Sequence, residues 1–464
     1  MAARSKPRSR LPAPPGQWLF RDPIARLWQR PWFDRAALNL IAQWYLPLSR
    51  AWAAALVADG DAERFWQALP ANPAGNRRLL DKVLSDIARR RRDYAEAAGA
   101  WERAFFSQPA PKTAQRVEAE VRRRRAAERL MLARAGFLPL ALQTRLPPVA
   151  FDIPGPAEVD RRQRQRLDGI AFPAPAEVER QASARVPGPS GPQYWLRFPS
   201  TAAGTPSTAW ARVFEPEAAL EPPTLIFLHG ITMEMEFWPD SRDPIPQLTA
   251  RGLRVVRVEG PWHGRRRPQG FYGGEPVLAW APLGMIALMQ AWAGEVGELI
   301  RWARATSSGP VAVAGISLGA LASQLVASAA AGWPDELRPD ALLLCTTSGD
   351  VSGTLNGGGL AGALGLPEKL AAAGWDAAAL APWRPLVEPG DHPAMPAERI
   401  VMVLGSEDVV TPFPGGLALA ERWAVPAANR FIWARGHFSA GLGLTANEGP
   451  ITRLITALNE ARRG

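Results

Sequence analysis

The chain has 464 residues, with 54 Lys and Arg against 44 Asp and Glu, which gives a formal net charge of +10. This length exceeds one ordinary domain, and a single cysteine, Cys345, excludes an intrachain disulfide bond. Met1–Phe20 lacks the continuous apolar core of a secretory signal. We therefore expect a cytoplasmic protein, with a peripheral position at the inner membrane as a variant.

The positive charge is concentrated in the first third of the chain. Residues 1–150 hold 27 Lys and Arg against 13 Asp and Glu, a balance of +14, and residues 151–464 hold 27 against 31, a balance of −4. Basic runs occur at Arg89–Arg92 and Arg122–Arg125 in helix-like segments, after an Arg- and Pro-rich leader, Arg4–Pro15. Such helices suit an anionic membrane surface or an acidic partner, or pack on the rest of the chain with a solvated basic face. Without a recognition motif we expect no nucleic-acid partner.

The segment Asp34–Asp59 is apolar and contains Trp44 and Trp52, but Pro47 and Arg50 interrupt it. It is too polar for a bilayer span of about 20 apolar residues, and an amphipathic helix pair is the better prediction. We therefore predict a basic helical region at 1–145, a Pro-rich linker at 146–192 and the main domain at 193–464.

The main domain alternates short apolar runs with helical stretches. This rhythm predicts an α/β fold with a mostly parallel, eight-stranded sheet and helices on both faces. The predicted strands are Tyr194–Phe198, Ala209–Phe214, Leu225–Leu228, Arg254–Val258, Val311–Ala314, Ala341–Cys345, Ile400–Leu404 and Phe431–Ala434; the predicted helices are Pro244–Arg251, Gly284–Ala305, Leu318–Ala331, Pro414–Trp423 and Glu448–Arg462. Residues 349–396 interrupt the rhythm after the sixth strand, and we interpret them as a lid, with an ordinary structural excursion as the alternative.

The most informative motif is Gly-Ile-Ser-Leu-Gly at Gly315–Gly319, between the fifth predicted strand and the helix that begins at Leu318. A sharp strand-to-helix turn exposes the hydroxyl of Ser317, and the glycines let the backbones pass closely. The backbone N–H groups at the start of the helix favour the negative charge that develops in acyl transfer. Ser317 is therefore a candidate nucleophile.

An acid and a histidine follow later strands in the order that such chemistry needs. Asp408 comes after the seventh strand, and His437 comes after the eighth. The histidine would accept the Ser317 proton, and the carboxylate would fix its tautomer. Glu407 and Asp350 are the alternative acids.

A glycine turn after the third strand, His229-Gly230-Ile231, completes the set of candidate groups. The backbone N–H groups of Ile231 and Leu318 are the predicted oxyanion donors, and His229 is expected to brace the loop.

These four motifs, over roughly Tyr194 to Gly464, resemble the α/β-hydrolase superfamily. The segment Glu259–Pro268 is more particularly similar to a Pro-Tyr-Tyr-Gly-x-Arg-x-Pro segment in a branch that includes mitochondrial phospholipid deacylases, although this chain has Trp262-His263 in place of two tyrosines. The resemblance offers His263 and Arg265 as loop or substrate residues, Arg265 for a phosphate or carboxylate.

The sequence thus predicts a serine hydrolase that cleaves a carboxylic ester, lipid-like or small, through an acyl-enzyme intermediate without metal or cofactor. The same groups would serve an acyltransferase or thioesterase. The remaining alternative is a binding or scaffold protein that keeps the fold without the activity.

Overall fold

The structure, a computed structural model, describes residues 31–69, 71, 76–233 and 245–463. The leader Arg4–Pro15 lies outside these residues. The first part of the described chain is helical. A π-helical turn at Ile41–Tyr45 joins its first two helices, so the segment predicted to be a helix pair forms one continuous helical stretch. The helices are α1 Pro31–Leu40, α2 Leu46–Ala58, α3 Ala62–Ala68, α4 Arg77–Phe106, α5 Thr113–Leu132 and α6 Leu138–Ala141.

The longest of these helices, α4, follows from its cap and its apolar spacing. The Asn76 side chain accepts hydrogen bonds from the backbone N–H groups of Arg78 and Leu79, which is a standard N-cap. Leu84 and Ile87 are among its fully buried residues and recur at helical spacing, so one face packs inward. Among the described residues, no helix combines the length and apolarity needed to cross a bilayer.

The basic runs are largely paired within the helical part. Arg89 and Arg90 form ion pairs with Asp86, one turn away on α4. In the second run, Arg123 is buried against Glu120, with 2.9 Å between guanidinium nitrogen and carboxylate oxygen. These contacts give the arginines an intramolecular role, and an anionic membrane partner stays a prediction.

The sheet has ten strands, the eight predicted ones and two short additions. Its order is β1-β3-β4-β6-β5-β7-β8-β9-β10, with β2 paired to β3. Pairings from β6 to β10 are parallel, and those of β3 with β4 and of β4 with β6 are antiparallel. The strands are β1 Gln181–Ala182, β2 Val186–Gly188, β3 Gly191–Pro199, β4 Thr208–Phe214, β5 Thr224–Leu228, β6 Arg254–Glu259, β7 Val311–Ile316, β8 Ala341–Cys345, β9 Ile400–Gly405 and β10 Arg430–Trp433.

Helices cover both faces of this sheet, as a buried parallel sheet requires. All five predicted helices of the main domain are present, within a few residues of their predicted ends. After α6 the helices are α7 Pro156–Leu167, α8 Ile245–Ala250, α9 Glu275–Ala279, α10 Leu283–Thr306, α11 Leu318–Ala329, α12 Val351–Gly357, α13 Gly359–Ala363, α14 Leu366–Ala372, α15 Ala377–Leu380, α16 Phe413–Arg422, α17 His437–Ala446 and α18 Glu448–Arg463.

The helical N-terminal part shares its core with the sheet. One continuous apolar cluster includes Trp52 and Leu84 together with Val313 and Leu321 from β7 and α11. Residues 146–192, for which the sequence predicts a linker, contain α7, β1 and β2, so they contribute to the sheet as well as connecting the two parts.

A buried ion pair connects the helical N-terminal part with the domain that contains the sheet. Arg50 of α2 lies 3.1 Å from the Glu275 carboxylate of α9, and both side chains are almost fully buried. Glu275 also accepts hydrogen bonds from the backbone N–H groups of Ala150 and Tyr272. Burial of such a pair is tolerated because hydrogen bonds satisfy the carboxylate on several sides.

Candidate active site

Ser317 lies in the turn between β7 and α11, in a backbone conformation that few residues adopt. Its φ is 55° and its ψ is −122°. Its backbone N–H donates to the Cys345 carbonyl of β8 at 3.0 Å, which holds the turn against the sheet. A Cβ on Gly319 would lie 2.2 Å from the Leu228 carbonyl oxygen, and one on Gly315 would lie 2.1 Å from that of Gly319. Glycine is therefore required on both sides of the serine.

Positive φ values recur at the ends of four neighbouring strands. Thr232 after β5, Trp262 after β6, Ser317 after β7 and Thr346 after β8 have φ between 51° and 61°. Each costs conformational energy, and such residues concentrate at functional sites, where surrounding structure holds them in place. The strain marks one edge of the sheet.

Ser317, His437 and Asp408 meet at this edge. The His437 Nε2 atom lies 2.8 Å from the Ser317 Oγ atom, and its Nδ1 atom lies 2.8 Å from the Asp408 Oδ2 atom. His437 and Asp408 are buried. With Nδ1–H donating to the carboxylate, Nε2 is free to accept the serine proton, which is the arrangement general-base catalysis needs.

The Asp408 carboxylate is held by its own loop. Its Oδ1 atom accepts hydrogen bonds from the backbone N–H groups of Val410 and Thr411, at 2.8 and 3.0 Å. The Thr411 hydroxyl donates to Oδ2 at 2.9 Å and lies 3.2 Å from His437 Nδ1. Sequence reasoning missed Thr411, although an acid followed three residues later by Thr signals a side-chain-capped turn.

Neither alternative acid faces His437. Glu407, the neighbour of Asp408 in the same loop, is exposed. Asp350 is exposed and caps α12, where its Oδ1 atom accepts from the Gly353 N–H at 2.7 Å.

The loop after β5 brings Ile231 to the serine. A Cβ built on Gly230 would lie 3.3 Å from the Ser317 Cβ, so the backbone here passes close to Ser317. Within the described residues, no protein group accepts a hydrogen bond from the N–H of Ile231 or Leu318. The N–H of Gly230 donates instead to the Met233 sulfur at 3.2 Å. The role of Ile231 and Leu318 as oxyanion donors stays a prediction.

His229 braces this loop from beneath. Its Nδ1 atom lies 2.8 Å from the Gly230 carbonyl oxygen, and its Nε2 atom accepts from the Gly260 N–H at 3.0 Å. Only the neutral ring can make both bonds. Burial lowers the pKa of His229 to about 4, in agreement with that tautomer.

His263 packs edge-on against His229, with 4.6 Å between ring centroids, and does not line the cavity beside Ser317. Burial, followed by the neighbouring His229, lowers the pKa of His263 well below its ordinary value.

Arg265 lies away from the serine. Its guanidinium stacks over Trp101 of α4 at 4.5 Å and over Trp210 of β4 at 5.1 Å, and it pairs with Glu259 at 3.5 Å. The next residue, Arg266, is buried against Glu295. The structure therefore does not bring Arg265 together with Ser317, and the aromatic and acidic partners account for its position.

A cavity of about 550 Å³ opens beside Ser317, within the range of small-molecule sites. Among the described residues, its lining contains no Asp, Glu, Lys or Arg. Among the described lining residues, seven fall between Trp32 and Leu46, on α1, the π-helical turn and the start of α2, and only Leu360 comes from the segment 349–396 predicted to be the lid. The helix α1 thus contributes more of the cavity wall than the predicted lid does, with α13 beside it, where Leu38 approaches Gly359.

The order of the eight long strands decides the fold. Numbered along the chain from β3, they lie as 1-2-4-3-5-6-7-8, with the turn that carries Ser317 after the fifth. The chain has the α/β-hydrolase fold. Residues 226–348 match a family model described as "Alpha/beta hydrolase domain containing 18". The matched part of the chain includes Ile231 and Ser317 and ends before Asp408.

Solved structures with a similar fold include a lipase, several esterases and two peptidases. A lipase in its open form has 18% identity and a TM-score of 0.36, covering 59% of this chain and 100% of its own. An acetyl xylan esterase from Paenibacillus sp. R4 has 15% identity and a TM-score of 0.42, covering 67% and 96%. A Pyrobaculum calidifontis esterase has 16% identity and a TM-score of 0.37, covering 66% and 91%. These values are too low to carry any inference about function. Curated protein sequences give no significant match.

Proposed function

We propose that this protein is a serine hydrolase that cleaves carboxylic esters with an apolar acyl group. The observation that carries the proposal is the relay of two 2.8 Å contacts, Ser317 to His437 and His437 to Asp408, beside an apolar cavity. Fold alone would not support an activity, because one fold hosts many functions.

In the proposed reaction, His437 Nε2 takes the hydroxyl proton as Ser317 Oγ attacks the ester carbonyl. The N–H groups of Ile231 and Leu318 stabilise the oxyanion, and Asp408 stabilises the imidazolium. The imidazolium then protonates the leaving alcohol, which leaves an acyl group on Ser317. A water molecule, deprotonated by His437, releases the carboxylic acid and restores the serine.

The cavity supports an apolar acyl group as the recognition element. Among the described residues its only polar side chains are Thr232, Ser317, Thr346 and His437, and an aliphatic chain gains by leaving water for such a surface. Head-group recognition is left open, since Arg265 lies elsewhere.

The test is active-site labelling with a fluorophosphonate probe, together with hydrolysis of p-nitrophenyl esters of graded chain length. Ser317→Ala should lose both. The matched control is Ser328→Ala, at the far end of the same helix, where the hydroxyl donates only to the Leu325 carbonyl. Labelling of the Ser317 variant at the wild-type rate would refute the assignment.

Product analysis separates the alternatives that use the same groups. Added primary alcohol would yield a new ester if acyl transfer dominates, and acyl thioesters would be preferred substrates if the protein is a thioesterase. A binding or scaffold protein would give neither labelling nor turnover.

A further inference from the structure

The helix that carries His437 has no N-cap side chain of its own, and its one local capping bond runs from the Gly436 N–H to the Ser439 hydroxyl at 3.2 Å. The N-cap residue of α17 is Gly436, which has no side chain, and His437 is the first helical residue. A helix start leaves several backbone N–H groups without intrahelical partners, and an N-cap side chain normally accepts from the second and third of them.

Asp34 of α1 supplies these bonds from 404 residues away. Its Oδ1 atom accepts from the backbone N–H groups of Phe438 at 2.6 Å and Ser439 at 3.0 Å, the second and third helical residues. Its Oδ2 atom accepts a short hydrogen bond from the Ser439 hydroxyl. Asp34 is buried, and Ser439 is fully buried.

The carboxylate occupies the position that a cap side chain of residue 436 would take. A Cβ built on Gly436 would lie 2.5 Å from the Asp34 Cγ atom and 2.7 Å from its Cβ. The Gly436 φ of −87° is open to any residue, so the glycine is explained by this close approach and not by its backbone conformation. The negative charge also suits the positive end of the helix.

The same helix that carries Asp34 forms the cavity wall. Phe33, Ala37 and Leu40 of α1 line the cavity beside Ser317, and Asp34 between them faces α17. When α1 docks, it therefore forms its side of the cavity wall and at the same time supplies the hydrogen-bond acceptor for the first turn of α17.

We propose that Asp34 is a positioning residue for His437: it caps α17 from a distant segment and so couples the docked wall helix to alignment of the general base. The proposal rests on the proposed hydrolysis for its catalytic consequence. It predicts that loss of Asp34 affects turnover through His437 and affects apolar substrate binding through α1.

The experiment uses full-length variants at Asp34 and Gly436. Asp34→Gly removes the carboxylate and the Cβ, and should lower kcat and the labelling rate of Ser317 about tenfold, the scale of losing a helix cap. Arg35→Gly is the matched control, because Arg35 is the exposed neighbour on the same helix. It should change kcat less than about twofold. Asp34→Asn keeps an oxygen acceptor and should retain most of the activity.

The decisive variant places a capping side chain at the N-cap position of α17 itself. Gly436→Ser should be harmful alone, because its Cβ meets Asp34, and beneficial in the Asp34→Gly background, where a serine can cap α17 itself. Asp34→Gly should also raise KM for long-chain esters, because α1 loses its anchor. The double variant should regain kcat but keep this raised KM, since the anchor of α1 is still missing. Hydrogen exchange of the Phe438 and Ser439 amides should rise in Asp34→Gly and fall again in the double variant.

Two results would overturn the proposal. Equal losses in Asp34→Gly and Arg35→Gly would assign the effect to α1 helicity alone, and a Gly436→Ser change that is harmful in both backgrounds would exclude capping. An unlabelled wild type would refute the proposed hydrolysis instead. Amide hydrogen exchange then tests independently whether Asp34 caps α17. Unchanged protection of the Phe438 and Ser439 amides in Asp34→Gly would contradict the capping role.

Discussion

Replacement of Asp408 by Asn should invert the tautomer of His437. The Oδ1 position is fixed as an acceptor because the N–H groups of Val410 and Thr411 both donate to it. The asparagine must therefore place its carbonyl oxygen there and its NH₂ group toward His437 Nδ1. That nitrogen becomes an acceptor, the ring proton moves to Nε2, and Nε2 can no longer take the Ser317 proton.

The expected loss is about 10⁴-fold in kcat, as for the corresponding change in other serine triads, which corresponds to about 5.5 kcal/mol of transition-state stabilisation. Ester turnover and the rate of fluorophosphonate labelling measure it. Glu407→Gln, which neutralises the exposed neighbouring carboxylate, should leave both rates within about twofold. Activity of the Asp408 variant within tenfold of wild type would refute this reasoning, as would an equal loss in the Glu407 variant.

Three further predictions concern the surroundings of the site. Gly319→Ala places a Cβ 2.2 Å from the Leu228 carbonyl and should destabilise the protein by about 2 kcal/mol or more in urea unfolding, whereas Gly332→Ala, whose Cβ meets nothing within 4 Å, should be neutral. The folded-state pKa of His229 is about 4, against an ordinary 6.5. Between pH 6.5 and 4 the unfolded chain therefore binds a proton on this imidazole that the folded protein does not bind, so the free energy of unfolding falls as the pH drops through this range. His229→Gln should lessen that slope by up to about 1.4 kcal/mol per pH unit, and an unchanged slope would contradict the neutral buried ring. Ala37→Phe adds a bulky ring to the cavity wall and should raise KM for long-chain but not short-chain p-nitrophenyl esters. The control is Asn39→Phe on the exposed side of α1, which should leave both KM values unchanged.

The parts that sequence predicts best are those set by short-range pattern. Apolar runs that end in small or polar residues locate β5, β7, β9 and β10, and parallel strands bring their following loops to one edge. Ser317, Asp408 and His437 were identifiable because each directly follows such a run. The sequence puts Asp408 first and keeps Glu407 as an alternative, and the geometry decides between them, since the spacing does not show which way a side chain points in a turn.

What sequence could not give depends on contacts between distant segments. Asp34 looks like any acidic residue in a helix, because its partners are 404 residues away. Arg265 looks like a ligand-binding arginine until Trp101 of α4 and Trp210 of β4 are placed beside it. The strands β1 and β2 are two and three residues long, too short to show a period within a Pro-rich stretch. The wall formed by α1 follows from docking, which no local pattern encodes.

The cap between Asp34 and α17 also has a consequence for synthesis. Because translation proceeds from the N-terminus at roughly 5 to 20 residues per second, the acceptor in α1 emerges on the order of 20 to 80 seconds before the N–H groups it binds. During this interval neither His437 nor the completed wall is in place. Under the proposed function, a stalled or shortened chain that lacks α17 has no general base for Ser317, so hydrolytic activity would begin only after α17 has been synthesised and has docked on Asp34.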